Sequence, residues 1–140
     1  MGSEIRQERV YGNWKPAKGY AREKRTNSQN YKRRPGMSEA HLACIRSLAC
    51  CVCGAAPRNE AHHLKAGTGE RGMGLRSTDK HAVPLCTHHH QEIEGQGARN
   101  EPKWFRSHGI FDALELALAL WQASGDLDRM TRVIEAHRGE

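Results

Sequence analysis

The residues able to do chemistry fall into two groups. The first is Cys50-x-x-Cys53, then 32 residues, then Cys86-x-x-His89. A two-residue gap lets one turn present both side chains to one ion, and Zn²⁺ prefers four tetrahedral sulfur and nitrogen ligands. Cys50, Cys53, Cys86 and His89 therefore read as a structural Cys₃His zinc site. Cys51 is a rival for the first ligand, but Cys51-x-Cys53 lacks the two-residue gap. Cys44 falls on an apolar helix face and reads as core. The second group is Glu60-Ala-His62-His63 with His90 and Glu94. If His89 belongs to zinc, His90 points elsewhere, with Glu94 four residues on along the same helix face. Neighbours in a strand face opposite ways, so His62 and His63 have different tasks. Residue types and spacing stop there: a second, open, His/carboxylate metal site beside a neutral imidazole. His88 is left pointing to solvent.

These groups need short elements to hold them. Leu42, Ile45 and Leu48 recur at helical spacing after a capping Ser38, predicting an amphipathic helix within residues 38–50. "RNEAHHL" and "HAVPL" read as short strands, and "THHHQEIEGQG" as a helix stopped by glycine. Between the strands, "KAGTGERGMGLRSTDK" reads as a long, glycine-rich connection. "FDALELALALWQASG" is a strong helix with Asp112 near its start and Gly125 at its end. Leu114, Leu118 and Trp121 are its expected core-facing residues. "DLDRMTRVIEAHRG" is a last helix. His41, His108 and His137 are given ordinary structural or surface roles.

The chain has 140 residues, enough for one modest domain. Its mean hydropathy of -0.80 implies a small core that gains from a metal staple. Five cysteines without a secretory h-region argue for metal ligation rather than a disulfide framework. With no apolar run of about 18 residues, a soluble cytoplasmic protein is expected and membrane insertion is not. Residues 1–36 hold ten of the 22 Lys and Arg residues against three acids, whereas the rest of the chain is nearly neutral. This predicts two regions: a basic, irregular, nucleic-acid-binding arm over 1–36, including Lys32, Arg33 and Arg34, and a folded domain over 37–140. Arg71, Arg76 and Lys80 of the connection are further expected phosphate contacts.

The combination "CCVCG…NEAHHL…DKHAVPLCTHHHQEIEGQG" resembles an HNH endonuclease of the ββα-metal class. With "GERGMGLRSTDK" and "WFRSHGI…LALALW" added, it is similar to phage and prophage nucleases of the Ref recombination kind, over residues 38 to 121. The resemblance implies an α+β fold: a small zinc-stapled ββα-metal core with flanking helices. It implies His63 as the general base, with His62, His90 and Glu94 as ligands of the catalytic ion. Glu60 would position the histidine pair. The middle letter of the motif falls on His81, where the family usually has asparagine, and His81 inherits the orienting role. The implied chemistry is metal-dependent hydrolysis of DNA with low sequence specificity, leaving 5′-phosphate and 3′-hydroxyl ends. Mg²⁺ is the foremost catalytic ion, and mixed His/carboxylate ligands also suit Mn²⁺, Ni²⁺ or Zn²⁺. The implied partners are DNA and a recombinase filament. A catalytically inactive, zinc-stapled nucleic-acid-binding module is the competing reading, which His81 favours; an RNA nuclease would use the same residues.

Overall fold

In a computed structural model of the chain, residues 35–69 and 77–138 are described. They form an α+β arrangement. The order is α1 (Glu39–Arg46), β1 (Glu60–His63), a 3₁₀ turn (Asp79–His81), β2 (Ala82–Leu85), α2 (Thr87–Glu94), a second 3₁₀ turn (Ala98–Asn100), α3 (Glu101–Ser107), α4 (Ala113–Gln122) and α5 (Leu127–His137). The expected arm residues Lys32, Arg33 and Arg34, and Arg71 and Arg76 of the connection, lie outside the described residues. No helix among the described residues is long and apolar enough to cross a membrane.

Local chemistry sets the ends of these elements. The Ser38 side chain accepts the His41 N–H at the start of α1. Asp112 and Asp126 cap α4 and α5 in the same way. Each such cap satisfies an N–H that the helix itself leaves unpaired. The helix α3 was not anticipated. Its start carries Pro102, which has no N–H to lose in a first turn.

The two strands pair antiparallel, with Glu60 opposite Leu85, His62 opposite Val83 and His63 opposite Ala82. Pro84 is tolerated in β2 because that strand has a partner on one side alone in the described sheet. On the other side, the Pro84 carbonyl accepts the Cys51 N–H at 3.0 Å. That bond ties the cysteine turn to the sheet, close to where β2 delivers Cys86.

Helices α1 and α4 pack on the strands, and α5 packs on α4. Ile45, Val83, Leu85, Phe105, Leu116, Leu120 and Met130 are fully buried between them. Helix α4 corrects one expectation. Leu116, Ala117 and Leu120 face the core, whereas Leu118 is 37 % exposed and Leu114 and Trp121 are half-buried. Glu115 and Gln122, three residues before and four after Leu118, are exposed on the same helical face, so Leu118 lies on the polar side and Leu116, Ala117 and Leu120 on the inner one.

Leu116→Ala should therefore cost about 2–5 kcal/mol of stability, whereas Leu118→Ala should change it by under about 1 kcal/mol. Urea unfolding of the two variants checks this.

Candidate functional site

The cysteine turn is built by its backbone. Gly54 N–H donates to the Cys50 carbonyl at 2.9 Å, and Cys50 N–H to the Ala55 carbonyl at 3.0 Å. The turn passes through Gly54 at φ +76°, a conformation costly for a residue with a Cβ. Cys86 is the N-cap of α2 and His89 lies three residues on, so one helical turn carries both. One ligand atom from each of Cys50, Cys53, Cys86 and His89 lies within 4.8 Å of the others, and the four could bind a metal such as zinc. Cys53 Sγ is 3.8 Å from Cys86 Sγ. Two sulfurs at tetrahedral angles and about 2.3 Å from one ion stand about 3.8 Å apart. Cys86 Sγ lies 3.2 Å from His89 Nδ1.

The surroundings shift two of the cysteines in opposite directions. Burial opposes ionisation of Cys50, but the backbone N–H groups of Cys53, Cys86 and Val52 aim at its sulfur and bring its pKa below the ordinary value. Cys53 is pushed up, by burial first and then by the neighbouring Cys50 and Cys86 sulfurs. Cys51 is buried in the core, where desolvation drives its thiol far above the normal range. It is not a member of the cluster. Cys44 packs against the core.

The second group forms a separate cluster. One ligand atom from each of His62, His90 and Glu94 lies within 4.8 Å of the others, a set that could hold a metal ion. His62 is 1 % exposed. Its Nε2 is 2.9 Å from Glu101 Oε2, which assigns the ring proton to that nitrogen. Nδ1 then carries the lone pair. It is buried without a hydrogen bond, although Glu94 Oε1 stands 3.3 Å away. His90 is arranged the same way. Its Nδ1 donates to Glu60 Oε1 at 2.6 Å, leaving Nε2 to face Glu94 Oε1 at 3.5 Å. Two imidazole lone pairs and a carboxylate oxygen thus converge, each ring locked by a carboxylate behind it. Such outer carboxylates fix the tautomer of metal-binding histidines.

All three acids are held ionised. For Glu101, burial is outweighed by His62 and by the backbone N–H groups of Lys65 and Ala66. For Glu94, burial is outweighed by Lys65, whose Nζ is 2.6 Å from Oε2, and by His62 and His90. Hydrogen bonds from Thr87 and His90 lower Glu60.

His63 points away from His62, as alternation requires. Its Nε2 lies 2.8 Å from Asp79 Oδ1, and Asp79 Oδ2 accepts the Ser38 N–H at 2.7 Å. With the proton on Nε2, His63 Nδ1 is the basic nitrogen. His63, Lys65, His90 and Glu94 line one cleft of about 340 Å³, together with Ala61, Leu64 and Ser77.

One expected role moves, and another residue joins a second. Glu60 was expected to position His62 and His63; instead it holds His90, because its strand position faces the first turns of α2. For His63, an orienting contact comes from Asp79, two residues before His81 in the same 3₁₀ turn. His81 itself is buried, and its carbonyl accepts the Leu64 N–H at 2.9 Å. Asp79 sits inside the "STDK" stretch but was not singled out, and Glu101 lies on the unanticipated helix. Glu92, the neighbour of Glu94, turns to Trp104 Nε1 at 2.9 Å and to His108. His88 is 78 % exposed, so the three adjacent histidines do take three directions. Lys80 is half-buried, its N–H donating to the Gly36 carbonyl at 3.2 Å.

Fold and clusters together define a small α+β protein with a candidate Cys/His metal centre. Residues 26–121 match the family described as protein of unknown function DUF968, and the chain belongs to that family. It is also 33% identical over 90 residues to the uncharacterized protein YdfU of Escherichia coli strain K12. That alignment covers 64% of this chain and 25% of the relative, so the chain corresponds to about a quarter of that protein's length. No solved structure matches the chain.

The purified protein is expected to carry about one tightly held zinc ion. Metal analysis should find it depleted in Cys53→Ser and retained in Cys51→Ala.

Proposed function

We propose that the chain is a metal-dependent endonuclease of the HNH type, hydrolysing DNA phosphodiester bonds with low sequence specificity, in phage-type recombination or DNA processing. The observation that carries this is the pair of lone pairs, His62 Nδ1 and His90 Nε2, converging on Glu94 beside an imidazole held by Asp79 in the same cleft. In this reading Cys50, Cys53, Cys86 and His89 hold a purely structural zinc. His62, His90 and Glu94 hold a catalytic divalent ion. When bound, that ion supplies Lewis-acid neutralisation of the scissile phosphate and of its departing oxygen.

The chain's own residues do the rest. His63 Nδ1 accepts a proton from water as the water oxygen attacks phosphorus. Asp79 keeps the ring oriented and stabilises the imidazolium that forms. The bond from phosphorus to the 3′ oxygen breaks, the 3′ oxygen takes up a proton from solvent water, and the phosphate stays on the 5′ end. Glu101 and Glu60 act earlier, by keeping His62 and His90 in the tautomers that present lone pairs to the site. Low specificity follows because none of the described helices is assigned to reading bases; the basic segments bind backbone phosphates irrespective of sequence.

Supercoiled plasmid with Mg²⁺ or Mn²⁺ tests the reading. The wild-type protein should nick it, and His63→Ala should lower the rate by about 10²–10⁴-fold while DNA binding persists. Binding without metal-dependent nicking by the wild type would instead identify a zinc-stapled binding module, and preference for an RNA substrate would change the substrate class. Glu101→Ala should raise the Mn²⁺ concentration needed for half-maximal nicking by about 10–100-fold, without releasing the zinc.

A further inference from the structure

We infer that Lys65 is the phosphate-binding cation of the cleft, contacting a non-bridging oxygen of the phosphodiester. The inference rests on the nuclease reading for the identity of the substrate, but its geometry is independent of it. Lys65 follows β1 by two residues, and the extended run continues past His63, since Leu64 N–H donates to the His81 carbonyl. Alternation therefore puts His63 and Lys65 on the same side of the chain, with buried Leu64 between them. Both line the cleft opposite His90 and Glu94 of α2, and Lys65 is the one lysine or arginine among its described lining residues.

This lysine is held at both ends. Its backbone N–H donates to Glu101 Oε1 at 2.7 Å, so the carboxylate that orients His62 also fixes the main chain at Lys65. Its Nζ lies 2.6 Å from Glu94 Oε2, and the side chain is only 25 % exposed. Glu94 divides its oxygens, Oε1 facing the two imidazoles and Oε2 the ammonium. An ammonium has three donors, and Glu94 takes one of them. The other two remain for a ligand entering the cleft. A phosphodiester under attack spreads negative charge over its non-bridging oxygens, and a preorganised cation in a confined site stabilises that charge far better than water does. A lysine serving merely as an ion-pair partner of the half-exposed Glu94 would add little to stability and nothing to phosphate binding.

The test compares wild type, Lys65→Met and Lys65→Arg as full-length, zinc-replete protein. Mn²⁺ affinity is read from the electron paramagnetic resonance of the free ion. Binding of the dinucleotide thymidylyl-3′,5′-thymidine is read from ³¹P relaxation by bound Mn²⁺, and cleavage from single-turnover rates on labelled duplex. For Lys65→Met we expect Mn²⁺ affinity within about threefold of wild type, dinucleotide affinity lowered about tenfold and cleavage slowed about 10²-fold. Lys65→Arg, which keeps the charge, should recover most of both losses. The inference is overturned if Lys65→Met binds the dinucleotide as wild type does, if arginine fails to rescue, or if Mn²⁺ affinity falls in step with the other losses, which would make Lys65 a support for Glu94. It is also overturned if the wild type does not bind the dinucleotide. Should the wild type bind it with the expected lysine dependence yet cleave nothing, Lys65 keeps its assignment and the nuclease reading alone fails.

Discussion

One buried hydrogen bond governs the open cluster: His62 Nε2 to Glu101 Oε2. An imidazole has two nitrogens, and a neutral ring can present a lone pair from just one of them. Were the proton on Nδ1, His62 would turn a donor towards His90 and Glu94 and would offer the cluster no lone pair. Glu101 prevents this by taking the Nε2 proton. A buried carboxylate is costly unless well partnered, and Glu101 is well partnered. It accepts from His62 and from the backbone N–H groups of Lys65 and Ala66. The same residue therefore sets a tautomer, pins the chain just after β1 and remains ionised while doing so.

The pattern repeats around the cleft. Glu60 stands behind His90 as Glu101 stands behind His62, and Asp79 stands behind His63. Three histidines are each assigned a proton position by a carboxylate from a different part of the chain. Glu101 and Glu60 leave His62 Nδ1 and His90 Nε2 turned towards Glu94 Oε1. The helix α2 makes the arrangement compact. Its first turn brings Cys86 and His89 to one cluster, while the next residue, His90, is rotated by roughly 100° towards the other. The two clusters share a rigid element, yet no ligand in common.

Much of this was legible in the residues themselves. Cysteine and histidine spacings carried the two clusters, because a two-residue gap and an i,i+4 gap are local and translate directly into turn and helix geometry. Adjacent His62 and His63 had to diverge, because strand side chains alternate. Ser38, Asp112 and Gly125 marked helix ends for equally local reasons. The inner face of α4 was legible but misassigned: Glu115 and Gln122 mark the side that Leu118 shares, and the many leucines masked that signal. Not legible was α3, a short helix whose two useful residues, Glu101 and Trp104, lie outside any spacing pattern.

What the sequence by itself determined, then, is which side chains could gather and in which directions neighbours must point, since both follow from backbone periodicity over a few residues. Tertiary structure alone decided which carboxylate stands behind which imidazole. Glu101 is 39 residues from His62, and Asp79 is 16 from His63. Such contacts depend on how α3 and the 3₁₀ turn pack against the strands, and no short-range rule encodes them.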